Sequence, residues 1–351
     1  MSAGRENNAR ISYLVKREAN EITGVAPTES ELPDNWRPSA SFAVMRSRAD
    51  LLAQIRAFME AGSILEVDTP ILDSTANPEP AIESLESRLR FPDSVTSRTI
   101  FLQTSPEFAM KRLLAAGSGP IYQICKVFRD NEIGRFHQPE FTMLEWYRPG
   151  FDHYGLMDEL GRLLESLRLK YPDKKEYTAV FREATGLDPH AAKLDELNAR
   201  AAKLGLSRES GDRSLVLDLI FSHEVAPKLG KEGPQFIYDY PSCQSALARI
   251  RKGPPDLAER FELFIDGIEI ANGFNELCDV YEQYSRFIKD NDRRRKAGLR
   301  EVPVDTRLLA ALRHGLPACA GVAVGLDRLL MVLTRSRSLG DVLSYPVHWG
   351  N

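Results

Sequence analysis

Three segments of the sequence place charged side chains within or directly after apolar runs. In the first, Arg129 follows an apolar run that ends at Phe128, and a polar loop leads to a second apolar run that begins at Phe141. A guanidinium can bind a phosphate oxyanion and an aromatic ring can stack on a base, so this pattern suits a nucleotide-binding hairpin. Taken alone, the segment is better explained by an ordinary hairpin with a solvated tip.

The second segment, residues 260–277, carries polar side chains inside hydrophobic strands, at Glu262, Glu269, Asn272 and Glu276. A buried carboxylate is costly unless it binds a cation, so these groups are candidates to hold Mg²⁺ beside a phosphate or to receive an ammonium group. For any one carboxylate alone, alternation onto a solvent-exposed face is the simpler explanation.

The third segment joins a strand of small residues to a helix that begins after Gly325. Small residues allow a ligand to approach the backbone closely, and Arg328 on the first helical turn can point toward a phosphate. The Gly-x-x-x-Gly spacing from Gly321 to Gly325 is weak support by itself, because tight packing of the strand against the helix explains it equally well.

The elements that would position these residues follow from the spacing of apolar residues. A helix is predicted over 45–61, where Gly62 supplies a stop, and a strand-like run follows at 64–70. Many short strands separated by turns predict an α+β fold with a mainly antiparallel sheet flanked by helices. The other predicted strands are 98–103, 121–128, 141–147, 236–240, 261–265, 268–271 and 321–324, and the other predicted helices are 154–169, 191–204, 215–229, 280–297, 306–313 and 326–334.

Composition and charge exclude several classes of protein. The 351 residues are 43% hydrophobic, as in a globular protein, and no apolar run approaches the roughly 20 residues that cross a bilayer. The N-terminus has no apolar signal segment, so we expect a cytoplasmic protein without membrane association. Four scattered cysteines without a C-x-x-C pair argue against a zinc site. A net charge of -4 gives no general attraction to a phosphate backbone, so tRNA binding is not expected.

Together, the three segments and the 64–70 run resemble the signature motifs of class II aminoacyl-tRNA synthetases. Residues 65–70 resemble motif 1, residues 128–142 resemble motif 2 and residues 325–328 resemble motif 3. The resemblance implies the class II synthetase catalytic fold, the use of ATP and Mg²⁺, and a homodimer formed through the motif 1 region.

Within that class, the sequence is most similar to the lysyl branch. Residues 105–107, 139–147 and 272–277 look like segments of lysyl-tRNA synthetase, yet the N-terminal anticodon-binding barrel of those enzymes is missing. A lysyl-type catalytic domain of this length resembles the elongation factor P (R)-β-lysine ligase family. That resemblance implies activation of (R)-β-lysine or lysine by ATP as an aminoacyl-adenylate, followed by transfer to a lysine side chain of translation elongation factor P.

The domain organisation is predicted as one catalytic unit with an extension. Residues 1–40 are polar and weakly periodic, which predicts a loosely ordered N-terminal extension. Residues 41–351 would then form the class II synthetase-like catalytic domain, with a helical insertion around 177–229.

The resemblance also implies roles for individual residues on the nucleotide side. Arg129 would contact the α-phosphate and the amino-acid carboxylate, Arg328 the γ-phosphate, and Phe141 the adenine ring, with the two arginines as the catalytic pair. Glu262 and Glu269 would hold Mg²⁺. The full set implied to bind ATP is Arg129, Asp130, Asn131, Gln138, Phe141, Glu269, Ile270, Gly325 and Arg328.

On the amino-acid side, the resemblance assigns Glu276 and the Tyr147 hydroxyl to the side-chain ammonium and Glu107 to the other amine. Asn272 would hold the carboxylate between them. The full set implied to bind the amino acid is Ser105, Pro106, Glu107, Tyr147, Asn272, Glu276 and Ala323.

Three positions depart from the lysyl-tRNA synthetase pattern. Asn131 stands where motif 2 usually has a glutamate, which puts the contact to the adenine amino group in doubt, and Gln138 replaces an asparagine. Those synthetases have glycine at the position of Ala323, whereas the β-lysine family shows alanine there. One added methyl group changes the pocket shape and can shift the preference between α-lysine and β-lysine by about 1 to 3 kcal/mol.

Other functions remain open on the sequence alone. A truncated lysyl-tRNA synthetase is disfavoured by the missing barrel, and an amidating enzyme similar to asparagine synthetase is disfavoured by the residues around Glu276. A non-catalytic paralogue that binds an amino acid is disfavoured because Arg129, Glu262 and Arg328 are retained, and a pure binder does not need them.

Overall fold

The computed structural model describes residues 36–92, 96–205 and 210–347. Most of the predicted N-terminal extension therefore lies outside the described residues. In chain order the elements are α1 (Phe42–Ala61), β1 (Leu65–Glu66), β2 (Leu72–Asp73), β3 (Glu86–Arg90), β4 (Ser97–Leu102), α2 (Glu107–Ala115), β5 (Ile121–Phe128), β6 (Glu140–Pro149), α3 (His153–Ser166), β7 (Asp173–Glu176), α4 (Tyr177–Thr185), α5 (Leu194–Lys203), α6 (Arg213–Ile220), β8 (Gln235–Pro241), β9 (Ile250–Arg251), β10 (Leu257–Ile265), β11 (Ile268–Asn275), α7 (Val280–Lys296), α8 (Thr306–Gly315), β12 (Cys319–Gly325) and α9 (Leu326–Leu333).

Most of the described strands join one large sheet. Its order is β1, β5, β6, β12, β11, β10, β8 and β7, with β9 paired to β10, and a separate small sheet has the order β2, β4 and β3. In the large sheet, β1 pairs with β5 and β7 with β8 in parallel, while the other pairs are antiparallel. The mainly antiparallel sheet flanked by helices confirms the α+β prediction.

One face of the large sheet packs against helices α1, α3 and α9. Trp146 from β6 and Phe261 from β10 are fully buried in this apolar core. Helix α1 contributes Leu51, Ile55 and Met59, whose spacing of four residues places them on one side of the helix. Because apolar side chains fill this face, polar side chains that could bind a ligand must lie on the opposite face or at the sheet edge.

The chain between β7 and β8 forms the helices α4, α5 and α6. After α6 it continues as a π-helical turn over Phe221–Val225 and a 3₁₀ turn over Ala226–Lys228, so the helix predicted over 215–229 is only partly α-helical. A proline at position 227 lacks the N–H that a continued α-helix requires. The ring of Tyr177 stacks on Phe221 at 4.9 Å between centroids, which gives these helices an aromatic core of their own.

Six of the described elements are not among those predicted from the apolar spacing: α2, α4, β2, β3, β7 and β9. Helix α2 has only nine residues, and β3 and β7 are exposed along their whole length, so neither strand alternates between apolar and polar residues. In the described ranges no helix is both long and apolar enough to cross a membrane.

Candidate active site

A row of polar side chains crosses five adjacent strands on the face opposite the apolar core. The register pairs Gln123 with Glu145, Glu145 with Ala323, Ala323 with Asn272, and Asn272 with Glu262. Paired residues on neighbouring strands project to the same side of a sheet, so these residues share one surface. The structure thus gathers predicted residues of the metal and amino-acid sites onto a single face.

An irregularity in the β10–β11 hairpin adds Glu269 to this face. The register pairs Phe264 with Glu269 but Leu263 with Ala271, so Ile270 is an extra residue that forms a β-bulge. Without the bulge, strict alternation would place Glu269 and Asn272, which are three residues apart, on opposite faces. The Ile270 side chain, predicted to lie beside ATP, is instead buried in the apolar core, so only its backbone is available to a nucleotide.

The deepest part of the site is an ion-paired cluster between α2 and the end of β11. Lys111 lies one helical turn after Glu107, with its Nζ 2.6 Å from Glu107 Oε1 and 2.5 Å from Glu276 Oε2. Lys111 and Glu276 are 1% and 2% exposed, so their charges are shielded from water. Burial alone would lower the pKa of Lys111, but the charges of Glu107 and Glu276 outweigh it and raise that pKa.

A third carboxylate, that of Glu145, lies in the same cluster. Both of its oxygens accept hydrogen bonds, Oε1 from the Tyr147 hydroxyl at 2.6 Å and Oε2 from the Ser105 hydroxyl at 2.7 Å. Burial and the nearby Glu107 raise the pKa of Glu145 to about 7, although the two hydrogen bonds oppose the shift. Burial likewise raises the pKa of Glu276, to about 8. The pocket therefore disfavours its own negative charges, and an added cation would stabilise them.

Gly321 makes room for this cluster. It pairs with Tyr147 across β12 and β6, and a methyl group at position 321 would collide with the Tyr147 ring and lie 2.5 Å from Glu276 Oε1. Only glycine lets both side chains approach the strand so closely. A cavity opens beside the cluster, lined on one side by residues 103–109 and on the other by Asp73 and Asn77. Pro106, predicted to contact the amino acid, precedes the first turn of α2 in this wall.

The predicted nucleotide residues lie at the β5–β6 hairpin. The Arg129 guanidinium lies 5.1 Å above the Phe141 ring and 3.4 Å from Glu132 Oε1. Its Nε is buried and has no hydrogen-bond partner among the described residues. A buried donor without a partner is costly, so this atom is a candidate to bind a ligand oxygen. The geometry places Arg129 and Phe141 together, as a phosphate-binding and base-stacking pair requires.

Arg328 is held at the start of α9 by backbone carbonyls. Its Nε donates to Phe136 O at 3.1 Å and its Nη1 to Glu269 O at 2.9 Å, and the Glu269 carboxylate lies 3.7 Å from Nη1. Gly325 occupies the position before the first turn of this helix. Arg328 therefore links helix α9 to the β5–β6 hairpin and to the β10–β11 hairpin, both of which carry residues predicted to lie beside the phosphates.

The remaining residues predicted to bind ATP have different surroundings. Asn131 adopts a left-handed backbone with a φ of 62°, and Asp130 Oδ1 accepts from its backbone N–H at 2.8 Å. Both side chains are exposed at the hairpin tip. Gln138 is buried, and its Oε1 accepts from the backbone N–H of Val347 at 2.9 Å. Gln138 thus fixes the C-terminal segment beside the hairpin, a role that the sequence did not indicate.

Glu262 and Glu269, the two residues predicted to hold a metal ion, would provide only part of its ligands. Glu262 is buried and pairs with Arg260 from the same strand, whereas the Glu269 side chain is 42% exposed. Burial raises the pKa of Glu262 to about 7, with Arg260 opposing the shift. Among the described residues no cluster of three or more histidine, cysteine or acidic side chains could hold a metal by itself. A cation here would therefore need oxygen ligands from a bound phosphate.

Asn272 lies in the polar row between the cluster around Glu276 and the carboxylate of Glu262. Its Oδ1 is buried and has no hydrogen-bond partner among the described residues. An amide with a free polar atom, set between the cluster around Glu276 and the Glu262 carboxylate, is suited to bind a polar ligand that spans both.

Sequence reasoning missed two members of the site, Lys111 and Glu145. Glu145 is two residues before Tyr147 on a strand, and that spacing alone places it on the same face. Lys111 is four residues after Glu107, so it would have been found if α2 had been predicted as a helix.

Comparison with known proteins agrees with this geometry. Residues 34–348 match the model of the family described as tRNA synthetases class II (D, K and N). The curated relatives named elongation factor P--(R)-beta-lysine ligase include that of Pseudoalteromonas translucida, 44% identical over 89% of this chain and 98% of the relative, and that of Pasteurella multocida, 45% identical over 90% and 98%. The protein of that name from Vibrio cholerae is 45% identical over 89% of this chain and 98% of its own length. The chain therefore belongs to the class II tRNA synthetase family and, within it, to the elongation factor P (R)-β-lysine ligases.

Proposed function

We propose that this protein is an ATP-dependent ligase that activates (R)-β-lysine as an adenylate and transfers it to a lysine side chain of elongation factor P. The observation that carries the proposal is the buried pocket in which three carboxylates, those of Glu107, Glu145 and Glu276, surround the buried ammonium of Lys111. Such a pocket has spare negative charge for the two amines of a lysine-type substrate. We take elongation factor P as the acceptor because the relatives are named as ligases for that protein.

In the first step, an oxygen of the amino-acid carboxylate forms a bond to the α-phosphorus of ATP, and the bond from that phosphorus to pyrophosphate breaks. The protein's task in such a reaction is mainly to position the reactants and balance their charge. We assign the α-phosphate and the reacting carboxylate to Arg129 and the γ-phosphate to Arg328. Phe141 would hold the adenine ring, and its contact with Arg129 keeps both groups in one place.

Glu262 and Glu269 would hold Mg²⁺, which neutralises phosphate charge when it is bound. The fit is supported by their shared face and by the raised pKa of Glu262, because a buried carboxyl of that kind gains from a nearby cation. The rest of the ligand shell would come from phosphate oxygens and water.

The amino acid would lie along the row between Glu276 and Asn272. Glu276, with the hydroxyl of Tyr147, would receive the side-chain ammonium, and Glu107 the second amine. Asn272 would contact the carboxylate. Ala323 pairs with both Asn272 and Glu145, so its methyl group lies where the substrate backbone would pass.

In the second step, the neutral amine of the acceptor lysine attacks the adenylate carbonyl. A carbon–nitrogen bond forms, the nitrogen loses a proton and AMP leaves. The pocket then has to admit a protein side chain rather than the end of a tRNA, and we propose a cytoplasmic reaction without tRNA.

We also propose a homodimer that forms through the motif 1 region. Leu65 is 58% exposed and Leu72 is 50% exposed, and Ile71 between them is exposed as well. Several exposed apolar side chains in one short stretch of chain are typical of contacts between subunits. A monomer in light scattering would contradict this part of the proposal.

The function is tested by intact-mass analysis of purified elongation factor P after incubation with the protein, ATP and either (R)-β-lysine or α-lysine. We expect the factor to gain the mass of one lysyl residue, with (R)-β-lysine preferred. The control is Glu276→Ala, which should abolish adenylate formation while leaving the protein folded, since Lys111 keeps Glu107 as a partner. Charging of tRNA with no change in the factor would show a small synthetase instead, and an ATP supply that stays intact would indicate a non-catalytic binder.

A further inference from the structure

The ion pairs of Lys111 join two parts of the chain that the proposed function uses for two different amines. Glu107 lies on the same helix as Lys111, one turn earlier, whereas Glu276 follows β11. The Lys111 ammonium is within 2.6 Å of an oxygen of each carboxylate and is almost completely buried. An ammonium carries three donors, so one group can bind both carboxylates at once.

The number of charges in the cluster matches a substrate with two amines. With all groups ionised, the carboxylates of Glu107, Glu145 and Glu276 and the ammonium of Lys111 leave an excess of two negative charges. A lysine-type amino acid brings two ammonium groups. Without Lys111 the excess would be three, and buried charges of like sign drive carboxylates to take up protons.

We propose that Lys111 is a positioning residue of the amino-acid pocket, whose ammonium holds the carboxylates of Glu107 and Glu276 in place and favours the charged form of Glu276 until the substrate amines arrive. The inference rests on the proposed function. A protonated carboxyl is a poorer acceptor for an ammonium than a carboxylate, because hydrogen bonds between ionised partners are the stronger ones. Lys111 thereby acts through the two glutamates and not on the reacting atoms.

The sign of the pH dependence follows from the groups that face Glu276. They are Lys111 and Glu107 from α2, Glu145 and Tyr147 from β6, Cys319 from β12, and Cys278 on its own segment. Burial raises the pKa of Glu276 to about 8, Glu107 and Glu145 add to that shift, and Lys111 opposes it. Burial also raises the pKa of the Tyr147, Cys278 and Cys319 side chains, so they stay neutral.

The charged form of Glu276 therefore accumulates as pH rises through its pKa, and substrate binding should strengthen over the same range. Loss of Lys111 removes the one opposing cation, so the transition should move to higher pH. One unit of pKa corresponds to about tenfold in the ionised fraction below the transition.

The experiment measures the dissociation constant of (R)-β-lysine by calorimetry from pH 6.5 to 8.5, for the wild type and for Lys111→Met. We expect the variant to bind about tenfold more weakly at pH 7, with part of the loss recovered at pH 8.5. The matched control is Arg112→Met, which removes one positive charge from the next residue of the same helix and has no role in the cluster. Lys111→Arg, which keeps the charge, should bind better than Lys111→Met at pH 7.

Equal binding by wild type and Lys111→Met at every pH would overturn the role of Lys111 and leave the proposed function intact. Failure of the wild type to bind at any pH would instead overturn the proposed function and this inference with it. If thermal unfolding shows that Lys111→Met does not fold, the wild-type curve decides. Binding that strengthens from pH 6.5 to 8.5 is the expected result, and a flat curve overturns the proposal.

Discussion

The proposed amino-acid pocket and the proposed nucleotide side of the site are built in opposite ways. In the pocket, Lys111 and Glu276 are 1% and 2% exposed and are paired to other side chains within the protein. On the nucleotide side, the side chains of Arg129 and Arg328 are 23% and 22% exposed, and the partners of Arg328 are mainly backbone carbonyls. The proposed amino-acid pocket is thus preformed, whereas the proposed nucleotide side presents charges that a phosphate could reach without displacing a buried partner.

The largest expected effect tests the nucleotide side of this comparison. Arg129→Ala should lower the rate of ATP–pyrophosphate exchange by about 10²- to 10³-fold, as when one preorganised charge is removed from a transition state. Its partly exposed ion pair with Glu132 contributes at most about 1 kcal/mol, so the unfolding midpoint should hardly change. Lys126→Ala, which removes an exposed ion pair with Glu140 from the same hairpin, is the control and should keep its activity. A variant that loses activity only because it unfolds would contradict the comparison.

A smaller effect is expected from a change of shape in the pocket. Gly321→Ala should lower the free energy of unfolding by about 1 to 3 kcal/mol, because the added methyl group has to displace Tyr147 or Glu276 from a packed position. Urea denaturation measures the loss. At Gly211 an added methyl group would meet no atom of residues 36–92, 96–205 or 210–347 within 4 Å, so Gly211→Ala should be close to neutral. If the two alanine variants were equally stable, the pocket would be less tightly packed than we infer.

The smallest effect is expected at Ala323. It tests whether this position of the pocket discriminates between (R)-β-lysine and α-lysine. Ala323→Gly should shift the ratio of kcat/KM for (R)-β-lysine over α-lysine toward α-lysine by about tenfold, the usual value of one methyl group in a binding pocket. Ala320→Gly removes a methyl group from the same strand but from the side of the apolar core, and should leave the ratio unchanged. An unchanged ratio in Ala323→Gly would place the discrimination elsewhere in the pocket.

The sequence predicted the fold and the position of many site residues because their signals are local. The strand predicted over 121–128 has the bounds observed for β5, and Arg129 and Phe141 meet as expected at the end of two strands that are joined as a hairpin. The roles of these residues in binding ATP remain predictions. The resemblance assigned Glu107 and Glu276 to two different amines of the substrate, whereas in the structure both carboxylates contact the one ammonium of Lys111. This approach was not predicted, because the two residues lie on elements that are far apart in the chain.

The rest of the site depends on features that no local pattern shows. The ion pairs of Lys111 need the helix α2, whose nine residues give too few turns for a clear apolar spacing. Glu269 and Asn272 lie on the same face only because β11 contains one residue, Ile270, that has no partner on β10. Bulges follow from the pairing of two strands, so they cannot be predicted from either strand alone.

That bulge also limits how the gene can vary. The β10–β11 hairpin turns at Asp266 and Gly267, both with a positive φ, and this turn fixes the register from one end. Deleting Ile270 would remove the bulge but leave the pairs on either side of it, Phe264 with Glu269 and Leu263 with Ala271, in a regular ladder. Asn272 would keep its face, and the apolar core would lose the buried Ile270 side chain. We therefore expect lineages of this family to keep an apolar residue at position 270, because its side chain fills the core behind the polar row.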